Sequence, residues 1–155
     1  MEADNKTKLM NEVKLEDYLP LGARLLMAPI FLASGVLKMT NWGFFLGYTE
    51  SAGLPFASAA LAVSVAVELV VGAMLVVGYR SRIAAVVLAL YLVPTTFVFH
   101  QFWAVEPAQF STELLNFAKN LAVVGGLLTV VGIGSGSVSV DSFRLGGEGK
   151  GEVEG

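Results

Sequence analysis

"LAVSVAVELVVGAMLVVG", Leu61 to Gly78, is a run of apolar and small residues broken by one carboxylate, Glu68. Whether this run lies in protein core or in lipid decides the fold, because the cost of the charge and the partners open to it differ between the two media. Composition settles the medium. The 155 residues are 55% hydrophobic and 15% charged, against about 25% charged in soluble domains. Over half of those charges fall in Met1 to Asp17 and Gly146 to Gly155, which leaves long charge-poor segments between. This is the pattern of a polytopic membrane protein.

Four segments approach the roughly 20 residues that a helix needs to cross hydrocarbon: Leu19 to Met39, Ala57 to Gly78, Arg82 to Trp103 and Glu113 to Ile133. Arg24 and Lys38 stand near the ends of the first, where long side chains reach the interface. The fourth is purely apolar only over Leu121 to Ile133 and needs Phe117 and the stem of Lys119 to complete its span. The expected fold class is therefore all-α, an integral membrane four-helix bundle. It divides into an N-terminal segment (1–18), a four-helix domain (19–134) and a flexible tail (135–155).

Short-loop charges set the expected orientation. Lys6, Lys8 and Lys14, then Arg80 and Arg82 in "GYRSR", then Arg144 and Lys150 fall on one side of four helices, and Thr40 to Phe56 and Ala104 to Thr112 hold no Lys or Arg. The positive-inside rule places both termini in the cytoplasm, with both N-terminal segment and tail on that side of a cell (plasma or inner) membrane. Trp42, Phe44, Phe45, Tyr48, Phe102 and Trp103 suit an interfacial belt at the other side. The first apolar run begins after the acidic "EDY" and precedes no small-residue cleavage site, so it reads as a retained helix. From Ser135 the chain is rich in Gly and Ser and reads as a solvated tail without order of its own.

Cysteine is absent, which excludes thiolate metal sites, iron-sulfur ligation and thiol-disulfide relays from this chain. No metal site is expected, and nucleic acid is not among the expected partners. "GIGSGS" follows an apolar helix and does not open one, so it is no dinucleotide fingerprint.

At about 1.5 Å per residue, Glu68 lies near the bilayer centre, with Lys38, His100 and Lys119 toward the outer half and Asn116, Asn120 and Gln101 nearby. Ser64, Glu68 and Gly72 share a helix face, as do Thr96 and His100, and Asn116 and Asn120. Gly35 stands beside Lys38, and small residues next to polar ones let helices approach in lipid. The polar residues are expected to face one another across the interior. A carboxylate at bilayer centre costs about 2.5 to 3.5 kcal/mol on insertion scales, so Glu68 is expected to be protonated or paired with Lys38, Lys119 or His100. Such a group either fixes helix register or carries proton or ligand chemistry. A lone His100 cannot supply both axial ligands of a haem from one chain, and it reads as an interfacial histidine. Arg24 reads as an anchor toward the cytoplasmic headgroups. Pro94 frees a carbonyl inside the third helix and should kink it, with Thr95 or Thr96 able to satisfy that carbonyl.

"LGARLLMAPIFLASGVLKM", "GLPF", "AVELVVGAMLVVGYRSRIAA", "FVFHQFW" and "NFAKNLAVVGGLL" occur in order between Leu21 and Ile133. Together they resemble the DoxX family of small four-helix membrane proteins, through Arg24, Gly35, Lys38, Gly53, Pro55, Glu68, Gly72, Gly78, Arg82, His100, Lys119 and Asn120. The resemblance implies a four-helix membrane fold and, for some members, a place as membrane subunit in quinone-linked oxidoreductases. On it rests the expectation of an accessory or anchoring subunit, not catalytic alone, that binds quinone between its helices. Lys38, His100 or Lys119 would then bond a quinone carbonyl and Glu68 exchange a proton. A structural or assembly protein, a homo-oligomer or one docked on a larger complex, is the alternative. A transporter ranks below both, since no inverted repeat or broken helix pair is visible.

Overall fold

The computed structural model describes residues 15–148 as helices and connections alone. Helix α1 (Leu15–Thr40) leads to a short α2 (Trp42–Ser51). Next comes α3 (Ala57–Ala66), which continues through a π-helical turn (Val67–Val71) into α4 (Gly72–Val77). Then follow α5 (Ser81–Phe99), α6 (Pro107–Ile133) and α7 (Val140–Glu148). Tyr18–Thr40, Ala57–Val77, Ser81–Phe99 and Pro107–Ile133 are each long and apolar enough to cross a bilayer.

These four spans follow the expected order, with three local differences. Residues read as the first outer loop contain α2, because "WGFFLGYTES" has no proline and its aromatic residues pack in spite of Gly43 and Gly47: Tyr48 stacks on Phe99 at 5.2 Å. The third span stops at Phe99, four residues early. The fourth begins six residues early at Pro107, whose missing N–H and fixed φ suit a first helical position.

Packing uses small side chains. Ala28 of α1 and Ala84 and Ala85 of α5 are fully buried among Phe31, Leu75, Leu88, Leu127 and Val130, which joins all four spans in one core. Outward, Leu26, Leu90, Leu115 and Leu128 are exposed, as lipid-facing positions should be. Pro94 lies within α5 without ending it. Thr95 and Thr96 do not take the carbonyl that Pro94 frees; their hydroxyls donate to the Tyr91 and Leu92 carbonyls, four residues back, at 2.7 Å each.

The tail is the main correction. Read from its Gly and Ser content as solvated, the segment from Ser135 instead packs against one end of the bundle through Val138, Asp141 and Arg144. Arg24, read as reaching for headgroups, is fully buried and holds that segment in place. Its guanidinium donates to the Val76 carbonyl at 3.0 Å, the Leu75 carbonyl at 3.4 Å and the Val138 carbonyl at 2.6 Å. The first two are carbonyls of the last helical turn of α4, which lack partners within the helix and carry the negative end of its dipole. Asp141 completes the closure: its carboxylate accepts the Arg80 N–H at 2.8 Å and the Ser81 N–H at 3.1 Å, capping α5. Gly78 is needed at this junction. Its φ of +73° ends α4 in the left-handed region, and a Cβ there would collide with Arg24 and Ser139. The lysines at 6, 8 and 14 and Lys150, used for orientation, lie outside the described residues.

Candidate functional site

Glu68 occupies the π-helical turn between α3 and α4. Such turns hold one residue more than an α-turn and occur often at functional positions. Ser64, four residues earlier, and Glu68 both turn toward α1, where Ser34 and Lys38 stand one turn apart. The Lys38 ammonium lies 2.6 Å from Glu68 Oε1 and 2.8 Å from Ser64 Oγ. From α5 the Tyr91 hydroxyl reaches Glu68 Oε1 at 2.8 Å, Ser64 at 2.7 Å and Lys38 at 3.2 Å. Ser34 donates to the same carboxylate oxygen at 3.2 Å. Glu68 is 4% exposed. The carboxylate is therefore paired and hydrogen-bonded, as a charge removed from water must be.

Gly35 permits this meeting. A Cβ at that position would stand 2.7 Å from Leu69 Cδ2 and 3.3 Å from Glu68 Cβ, so α1 presses directly on the π turn. Gly72, one turn beyond Glu68, receives Phe31 and Leu32 in the same way.

The cluster forms one wall of an interhelical cavity of about 770 Å³, within the size range of small-molecule sites. Phe45, Tyr48 and Thr49 of α2 close it at the Lys38 end. Ile30, Ala33 and Leu37 of α1 and Ala59 and Val63 of α3 line another flank while remaining exposed. All five lie within the spans, so that flank meets acyl chains.

Lys38, Glu68, His100, Lys119 and Asn120 all line this one cavity, whereas Asn116 does not. They do not form a single bonded group. Of the three cations considered for Glu68, Lys38 pairs with it. His100 Nδ1 instead lies 2.8 Å from Glu113 Oε2, and exposed Lys119 donates to Asn116 on its own helix at 3.3 Å. Asn120 is 7% exposed, and its side chain makes no hydrogen bond among the described residues. At the cavity rim the Tyr48 hydroxyl donates to the Phe99 carbonyl at 3.1 Å; burial and the Glu113 carboxylate hold this phenol above its usual range. Among the described residues no group of three or more His, Asp or Glu is placed to hold a metal ion.

Sequence reasoning missed Ser34, Tyr91 and Glu113. Two had a signal: Ser34 stands four residues before Lys38 on the same face, and Tyr91 is a phenol inside an apolar span, where its hydroxyl must find a partner. Glu113 was read only as a helix start, and nothing local pairs it with His100.

Four apolar spans around a polar-walled cavity define a four-helix integral membrane protein. The DoxX family model matches residues 19–101, and the chain belongs to the DoxX family. It is similar to two inner membrane proteins of Escherichia coli (strain K12). It is 28% identical to YphA over 138 residues, covering 85% of this chain and 99% of YphA. To YqjF it is 32% identical over 128 residues, covering 83% of this chain and 93% of YqjF. A fission yeast (Schizosaccharomyces pombe) surfeit locus protein 4 homolog is 36% identical over 74 residues, 46% of this chain and 24% of that protein. No solved structure matches. By this homology and its four apolar helices the chain is a multi-pass inner membrane protein.

Proposed function

We propose that this chain is the membrane subunit of a redox assembly, binding a quinone between its helices and anchoring a catalytic partner. The observation that carries the reading is the cavity's lining: exposed apolar residues within the spans leave one flank open to acyl chains, and the same cavity is lined by the ionisable and hydroxyl side chains Lys38, Ser64, Glu68 and Tyr91. A ligand entering by that flank must be lipid-soluble, and one retained by the polar lining must carry a polar head, a description that an isoprenoid quinone fits. Asn120 and the two ammonium hydrogens that Lys119 does not use toward Asn116 are donors for a quinone carbonyl. His100 Nε2 adds a third polar atom on that side. The chain supplies binding and position, and electron transfer falls to the partner's cofactors.

Both termini are assigned to the cytoplasm. Arg24, Arg80, Arg82 and Arg144 belong to one end of the bundle, and the connections at the other end hold no Lys or Arg.

The test is extraction of the protein, purified gently from its own membranes, followed by quinone analysis and native mass spectrometry of the intact particle. Quinone near one per chain, with a redox subunit attached, supports the reading. Lipid alone on a bare monomer or homo-oligomer, together with no shift of melting temperature on adding a quinone analogue, overturns it.

A further inference from the structure

Polar groups lining the cavity differ in what the fold leaves open on them. An ammonium group has three N–H donors, and those of Lys38 face three acceptors: Glu68 Oε1 at 2.6 Å, Ser64 Oγ at 2.8 Å and the Tyr91 hydroxyl oxygen at 3.2 Å. Lys38 thus has no hydrogen left for a ligand. The second oxygen of Glu68 is unpaired but sealed, with no surface that a ligand could touch.

Asn120 is the converse case. It lines the same cavity from α6, is buried, and makes no side-chain hydrogen bond among the described residues. Its amide is nevertheless not sealed: the unpaired side-chain atoms without accessible surface are Arg24 Nε, Glu68 Oε2 and Ser81 Oγ. The amide therefore opens on the cavity. Asparagine inside a span commonly bonds across to a neighbouring helix, but this one bonds none and so does not tie the bundle together. The adjacent Lys119 is exposed and long enough to turn its charge elsewhere. A short, buried amide has no such choice, and its partner must come from whatever fills the cavity.

One flank of that cavity meets acyl chains, so every lipid of the bilayer competes for the space at high concentration. An acyl chain has no hydrogen-bonding atom and leaves both the N–H and the C=O of Asn120 unpaired, which is unfavourable for a buried group. A head with a carbonyl or a hydroxyl supplies the partner, and an amide, being donor and acceptor at once, serves either. We infer that Asn120 is the specificity-determining residue of the cavity: it penalises filling by acyl chains and admits a lipid-soluble molecule with a hydrogen-bonding head. Selectivity of this kind works against the wrong occupant, by stranding a polar group beside it. Choice of a quinone as the right occupant rests on the reading above, whereas exclusion of acyl chains does not.

The test compares the native full chain with Asn120→Leu, which keeps the branching of the side chain, and Asn120→Ala, which adds no volume, in phosphatidylcholine nanodiscs. Phosphatidylcholine bearing a diazirine in its acyl chain is photolysed, and the labelled residues are read by peptide mass spectrometry. Binding of decylubiquinone is measured by equilibrium dialysis against empty discs. One neutral hydrogen bond corresponds to about fivefold in occupancy. Labelling of Tyr91 and Thr95, which line the cavity from α5, should rise by about that factor in the variants while labelling of outward Leu128 stays level, and decylubiquinone should bind about fivefold more weakly. Unchanged labelling at Tyr91 and Thr95 overturns the inference whatever the quinone result. So does ligand-free melting below that of the native chain in both variants, which would make the amide structural. Decylubiquinone bound equally by all three chains also overturns it and leaves the quinone reading intact. Failure of the native chain to bind decylubiquinone above empty discs overturns the quinone reading alone, and the labelling still decides the inference.

Discussion

The Lys38 ammonium and Glu68 Oε1 meet at 2.6 Å across thirty residues of sequence, in a space that also receives Tyr91 from a third span. One ion pair therefore fixes the relative height of α1 and the α3–α4 span, and a phenol ties α5 to both. Bilayer cores offer little hydrophobic drive for helices to associate, so close packing and polar contacts of this kind carry more of the specificity.

Removing one partner should be far more damaging than removing both. Lys38→Met leaves an uncompensated buried carboxylate and should destabilise the protein by about 3–5 kcal/mol. The double variant Lys38→Met with Glu68→Leu should recover much of that loss. Thermal unfolding of the four proteins of this cycle in one detergent is the check, and additive losses would show that the residues do not act as a pair.

Glycine substitutions should separate contact from mere presence in a helix. Gly35→Val drives a side chain into Leu69 and Glu68 and should lower stability by about 1–3 kcal/mol. Gly47→Ala in α2 meets nothing within 4 Å and should be neutral, or more stable by up to about 1 kcal/mol from helix propensity. Melting temperatures of the two variants give the comparison directly.

Asp141→Ala removes the acceptors of the Arg80 and Ser81 N–H groups, and lost caps of this kind are worth about 0.5–2 kcal/mol. The expected result is faster cleavage within residues 135–148 under limited proteolysis, with the spans intact. An unchanged cleavage rate would mean that the remaining contacts, Arg24 to Val138 and the Asp141 N–H to the Gly78 carbonyl, hold the segment without the carboxylate.

The absence of cysteine makes orientation directly measurable. Ala52→Cys and Thr112→Cys should react with a membrane-impermeant thiol reagent from the periplasmic side, and Arg82→Cys only after the membrane is opened. The reverse pattern would invert the assignment.

Much of this architecture was legible because lipid imposes a coarse code. Apolar length located the four spans, and Glu68 stood out as a charge that must be paired. Which cation pairs with it was not legible. Lys38, Lys119 and His100 all lie at compatible depths, and the choice depends on the π turn and on the close approach at Gly35, neither of which leaves a periodic signature. The tail was misread for a related reason. Composition measures whether a segment can bury a core of its own, and residues 135–148 instead borrow partners: a guanidinium from α1 and the free N–H groups at the start of α5. Arg24 was misjudged with it, since the carbonyls it binds belong to residues 51, 52 and 114 positions away.

That last separation orders events during synthesis. Arg24 enters the membrane with the first helix, but its third carbonyl leaves the ribosome 114 residues later, on the order of ten seconds at ordinary rates of chain elongation. Through that interval a guanidinium destined for complete burial must be held by headgroups, water or the insertion machinery. The bundle closes at this end only when residues 138–141 arrive, so a ribosome that stalls before Val138 leaves a protein with all four spans made and its latch open.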